Sequence, residues 1–332
     1  MRYLLTAVAL SNAIVLAAAS PVAPQVDVVR VLYTFTDGAY PENIAVRANG
    51  EIIINSVTNG RVYTIDPTLR SPKAHTLVQF DPQLANSTLG IVEYAPDKFA
   101  VNTALINFLN LSAKSVAVWS MDLKGRAKGS SALVKPHKIA DIPDAGVANG
   151  LTSLNGRILL AADSKFGLIW GIDIHTGSVR VAADAEALKA PDLDGVPVGV
   201  NGVHASRDGS RLFFSNTNTR RVSEVRVRHD GTFIGNITTV AELPTGQLGA
   251  DDFIVGRDRS LWVTGIPNFV NKFSPDGTVV VLDSFNNTVG PVPSGVSNPT
   301  AAAFGRGSNE QEKILYVTAS WGVVYAVDTS RV

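Results

Sequence analysis

Four oxygen-bearing side chains stand at corresponding points of a chain that repeats itself: Glu42, Asn149, Asn201 and Asp251. Each opens a short run of small and β-branched residues, ENIAVR, NGLTSL, NGVHAS and DDFIVG. Two carboxylates and two carboxamides converging on one point form an all-oxygen set of the kind a hard divalent cation such as Ca²⁺ or Mg²⁺ takes. The same groups can hold or polarise an oxygen of a bound substrate. Asn-Gly and Asp-Asp also serve as plain turn residues, because Asn and Asp bond their own backbone. What singles these four out is their recurrence at one place in the repeat. His204, three residues beyond Asn201, could face the same space, or be a hydrogen-bonded structural histidine. Arg47 and the pair Arg220-Arg221 are candidates to polarise a carbonyl. Of Trp119, Trp170, Trp262 and Trp321, one to a unit, Trp321 is the best candidate for a binding wall, with Phe269; the others suit packing. Serine-hydrolase elbows, phosphate loops, His-x-x-x-His pairs and dinucleotide fingerprints are all missing from the sequence.

The elements that position these residues follow from Asn201 to Asp230, which reads as a polar opening, strand, Asp208-Gly209 turn, strand, polar turn and strand. Asp-Gly between apolar runs is a strong hairpin signal, since Gly supplies the positive φ the turn needs. The same order recurs with openings at 42, 90, 149, 201, 251 and 299, in steps of 48, 59, 52, 50 and 48. A period near 50 with three or four strands per unit predicts an all-β, six-bladed β-propeller. A two-sheet sandwich is the alternative, but sandwiches seldom repeat this regularly. The apolar segment 28–35 precedes the first opening, and the last unit ends in VVYAVDTSRV. The N-terminal strand is therefore expected to complete blade six and close the ring, leaving no free edge.

Lys plus Arg and Asp plus Glu both number 29, so no basic footprint points to nucleic acid, and no basic run points to a membrane surface. Residues 1–20, MRYLLTAVALSNAIVLAAAS, have the pattern of a secretory signal peptide, leaving residues 21–332 as one propeller. The mature protein is then expected in the secretory lumen or outside the cell, with no membrane partner once the leader is cut. No cysteine is present, which a core of this size can tolerate. Sequons at Asn86, Asn110, Asn236 and Asn286 are candidate glycan sites. The loops 183–200 and 289–299 are expected to wall a pocket at the same end of the ring as the openings.

With these openings the chain resembles the gluconolactonase and senescence-marker family of six-bladed propellers over essentially its whole mature length. That resemblance implies one divalent metal held by Glu42, Asn149, Asn201 and Asp251, with Asp251 also the base of a lactonase. Three departures weigh against lactone hydrolysis: Pro41-Glu42-Asn43-Ile44 for the family's Glu-Gly-Pro, Ser215-Asn216-Thr217 where an Asp is usual, and Asp252 rather than Gly after Asp251. The segment ENIAVRANGEIIIN is more similar to a fungal branch that includes hetero-Diels–Alderases of tropolonic sesquiterpene formation. This similarity implies small-molecule substrates and no required cofactor; on that reading Asp251, Asn201, His204 and Arg47 are the expected polar catalytic groups. A lactonase using Ca²⁺ or Mg²⁺ and a non-catalytic binding propeller are the alternatives.

Overall fold

The computed structural model describes residues 28–107, 110, 112–191, 197–283 and 298–332. They form six four-stranded antiparallel sheets, each a simple meander from an inner to an outer strand. The inner strands are Pro41–Val46, Ser87–Ala95, Ala148–Ser153, Val200–Ala205, Gly249–Val255 and Pro299–Phe304. Blade six is the exception to chain order: Val29–Thr34 pairs with Val323–Asp328, so the earliest described strand finishes the last sheet. The six-bladed propeller and its closure agree with the sequence expectation. Residues 1–27, including the leader, and parts of the two expected pocket loops (192–196 and 289–297) lie outside the described residues. Within 183–200, Glu186–Leu188 forms a single 3₁₀ turn.

Ile52, Ile53 and Ile54 show why such a run becomes a strand buried on both faces. Side chains alternate along a strand, so Ile52 and Ile54 pack toward blade six with Leu32, Tyr316 and Val324. Ile53 points the other way, against Phe99, Val101 and Met121 of blade two. All three isoleucines are fully buried, each removal from water being worth about 1.5–3 kcal/mol. Six such clusters, one between each pair of neighbouring blades, make up the core. The axis is left to the inner strands.

Candidate active site at one mouth of the axial channel

Every inner strand loses register with its neighbour at the same point. In blade one Pro41 pairs with Ser56 and Ile44 with Ile54, so Glu42 and Asn43 stand opposite Asn55 alone. The same two-against-one bulge falls at Leu89-Gly90, Asn149-Gly150, Asn201-Gly202 and Asp251-Asp252, and blade six has a smaller one at Thr300. A bulge frees residues from the ladder and re-aims their side chains, here toward the axis. Gly150 and Gly202 suit their bulges for lack of space: a Cβ on Gly150 would strike the Asn201 carbonyl, and one on Gly202 the Asp252 carboxylate.

The residue opposite each bulge ties it to the next blade. Asn55 donates to the Leu89 carbonyl, Asn102 to that of Asn149 (2.9 Å), Ser215 to that of Asp251, Thr264 to that of Thr300 (2.8 Å) and Thr318 to that of Glu42 (3.5 Å). In blade three the position is Ala162, whose side chain has nothing to donate. Five of six blade junctions are thus fastened beside the residues that face the channel.

Glu42, Asn149, Asn201 and Asp251 converge on one cavity of about 360 Å³. Asn201 Nδ2 donates to Asp251 Oδ1 at 2.9 Å and to Thr217 Oγ1 at 3.0 Å. Asn149 hydrogen-bonds Glu42. Above these polar groups the walls are Val57, Leu89, Ile106, Val147, Val198 and Ile266. No lysine or arginine lines the cavity among the described residues. Burial, and then the Asp252 carboxylate, push the Glu42 carboxyl up to about 7 against the Asn149 hydrogen bond. Burial and the charges of Glu42 and Asp252 hold Asp251 well above the usual carboxylate range.

Two further residues of the site lie outside the first position of each opening. Tyr40, just ahead of the first inner strand, lines the cavity and hydrogen-bonds Ser320. Burial, then Glu42 and Asp251, raise its hydroxyl pKa, so it stays a donor. Asp252, the second residue of its bulge, turns into the channel and accepts from Asn43 Nδ2 (3.0 Å) and the Phe253 amide (2.7 Å). The clue lay in the second position of each opening: Asn43 and Asp252 are polar where Gly90, Gly150 and Gly202 are bare.

Other candidates fall elsewhere. His204 faces Asp252 at 2.9 Å, edge-on to Phe253, and does not line the cavity. Arg47 is 1% exposed and spent on structure: Nη1 reaches Glu51 at 2.7 Å, and Nε and Nη2 grip Asp97 at 3.0 and 2.9 Å. It cannot polarise a substrate in the cavity. Phe269 is 2% exposed, packed with Val222, Phe253 and Val263, and does not line the cavity. Strand alternation buried it; nearness to a loop was a poor guide. Arg220 reaches the Gln247 carbonyl, and Arg221 the Glu242 carboxylate. Trp321 is 53% exposed and lines a second chamber beside the cavity. Asn110 and Asn236 are exposed, whereas the Asn86 carboxamide is hydrogen-bonded both ways to the Ile106 backbone; Asn286 lies outside the described residues.

The donor set fits a hard cation. Two carboxyl groups and two carboxamide oxygens are present, and buried acids without a neighbouring cation favour taking up either protons or a divalent ion. Among the described residues no three Asp, Glu or His side chains group as a metal site by themselves, so the amides would be essential ligands.

Ring and site together define a six-bladed β-propeller with a small, part-apolar pocket at one mouth of its axis. Residues 193–321 match the family described as SMP-30/Gluconolactonase/LRE-like region. The chain is 26% identical to asR5 of Sarocladium schorii, to which hetero-Diels-Alderase activity is attributed, over 87% of this chain and 77% of that protein. A Phoma sp protein with the same attribution is also 26% identical, over 88% and 86% of the two chains. Among solved structures, a luciferin-regenerating enzyme superposes with a TM-score of 0.61 at 14% identity, over 90% of this chain and 94% of that one, a likeness of fold. The resemblance read from the openings is borne out by these matches.

Proposed function

We propose that this protein is a hetero-Diels–Alderase, joining a tropolone-type o-quinone methide to a sesquiterpene alkene such as a humulene. One observation carries the reading: an apolar-walled cavity whose floor offers hydrogen-bonding groups but no activated nucleophile. The cycloaddition of a C=C–C=O unit to an alkene forms one C–C and one C–O bond while three π bonds become one. No proton or leaving group moves. The protein must hold two partners face to face and steady the charge growing on the heterodiene oxygen. Orientation supplies up to about 7–11 kcal/mol in well-arranged intramolecular cases, and a placed donor adds about 3–4 kcal/mol. The Tyr40 hydroxyl is the donor best kept protonated, and the carboxamides of Asn149 and Asn201 fix the floor around it.

A second reading, a metal-dependent lactonase, is favoured by the two carboxyls with no cation beside them. Glu42, Asn149, Asn201 and Asp251 would hold the ion, which when bound supplies Lewis-acid polarisation of a lactone carbonyl. The protein's own part would be to bind the lactone ring between the apolar walls. The deciding assay offers purified protein aldonolactones, and separately a quinone methide generated with humulene present, each with and without chelator. Adduct formation that persists in chelator supports the pericyclase; metal-dependent lactone opening without adduct overturns it. The leader-like residues 1–20 support action in the secretory lumen, which trimming of the N-terminus and glycan shifts on secreted protein would test.

A further inference from the structure

The cavity is not alone at this mouth. A second chamber of about 390 Å³ adjoins it, walled by Phe35, Thr36, Gly38, Ala39 and Trp321. Tyr40 and Thr58 line both chambers, so the two meet at these residues. The inner chamber has aliphatic walls, whereas the outer one presents an indole.

Trp321 is held out on purpose-built backbone. It sits at φ 64°, ψ 25°, and Gly322 follows at φ 82°, two left-handed residues in succession. Non-glycine residues occupy that region at a cost, and such strain gathers at functional sites. The strap is pinned at both ends. Ser320 exchanges hydrogen bonds with Asn298 (2.8 and 2.9 Å), and the Phe35 amide donates to the Gly322 carbonyl at 2.7 Å. Ser320 also holds Tyr40. The other tryptophans behave differently: Trp170 and Trp262 are buried between blades, and Trp119 packs on Phe80 under Lys138. A large apolar side chain kept in water on a fixed strap, beside a half-enclosed space, offers a flat face for stacking.

We propose that the outer chamber is a separate subsite for a planar conjugated ring stacked on Trp321, and that the inner cavity takes the aliphatic alkene. This rests on the two-substrate reading above and assigns each substrate its place. Tyr40 at the junction is then the catalytic donor, because it alone among the aromatic residues reaches both spaces. The ring's exocyclic carbon and oxygen would lie over the junction, where the alkene meets them.

Tropolone serves as a stable planar probe and humulene as the alkene. Tropolone is expected to quench the red edge of tryptophan emission, which comes from exposed Trp321, and to bind together with humulene rather than compete. Trp321→Phe should lose the quenching while calorimetric affinity for tropolone stays within threefold; Trp321→Ala should weaken that affinity about tenfold. In turnover, Trp321→Ala should raise KM for the quinone methide by a similar factor and leave KM for the alkene unchanged. Displacement of tropolone by humulene, or unchanged tropolone affinity in Trp321→Ala, would overturn the subsite even if adduct still forms. Quenching and co-binding as expected but without any adduct would leave the subsite standing and remove the pericyclase.

Discussion

Asp251 separates the two chemistries most sharply. It accepts from Asn201 at 2.9 Å on the cavity floor. In a lactonase Asp251→Asn removes a base or a ligand charge, and activity should fall by about 10²–10⁴-fold. In a pericyclase the shape is kept and the rate should change by less than tenfold, read from adduct formation under single-substrate saturation. Glu42 provides a pH test. Its carboxyl is raised from the usual range to about 7 in the folded protein, so between roughly pH 4.5 and 7 the folded state binds more protons than the unfolded chain. This group's contribution to stability therefore falls as pH rises across that window. Melts in chelator should show a midpoint a few degrees higher at pH 5 than at pH 7.5, with the difference reduced in Glu42→Gln. Arg47 belongs to stability alone. Its loss takes the buried ion-pair partner from Glu51, also 1% exposed, and Arg47→Met should cost about 3–5 kcal/mol in chemical denaturation. The four floor residues were legible because their spacing repeats. Arg47 was misjudged because a sequence does not show that Glu51 and, from blade two, Asp97 close around it.

At the scale of the strand, the bulge is what turns a repeat into a site. Regular pairing would send residues 42 and 43 to opposite faces of a blade; two residues against one lets both reach the axis. The strands and their order could be read from period and turn residues. The bulge could not, since it is a matter of register between strands and leaves no mark in either one alone. The inter-blade ties follow the same logic. Asn102, fully buried, donates to the carbonyl of Asn149 on the neighbouring blade. Asn102→Ala should cost about 1–3 kcal/mol, the usual range for leaving a buried acceptor unpaired. Because the lost bond lies directly behind Asn149, ligand affinity should weaken more than in a control such as Lys114→Ala on an exposed stretch of blade two. Equal affinity in the two variants would mean that the tie stabilises the ring without shaping the floor.

For the molecule as a whole, the ring is closed by hydrogen bonds between Val29–Thr34 and Val323–Asp328. Removing residues 28–35 should expose the edge of Val323–Asp328 and yield a protein that aggregates or is cut readily by protease, even with all six inner strands present. That closure also has a meaning in time. On the ribosome the strand at 29–34 emerges early, and its partner is made only after five blades have been spun out, which at about 5–20 residues per second is a wait of tens of seconds. Through that interval Leu32, destined for the cluster with Ile52 and Tyr316, has no partner strand to cover it. The chain is thus born with a loose end that only its own completion can tie, and any factor that slows translation of the last blade lengthens the period in which that end is open to strangers.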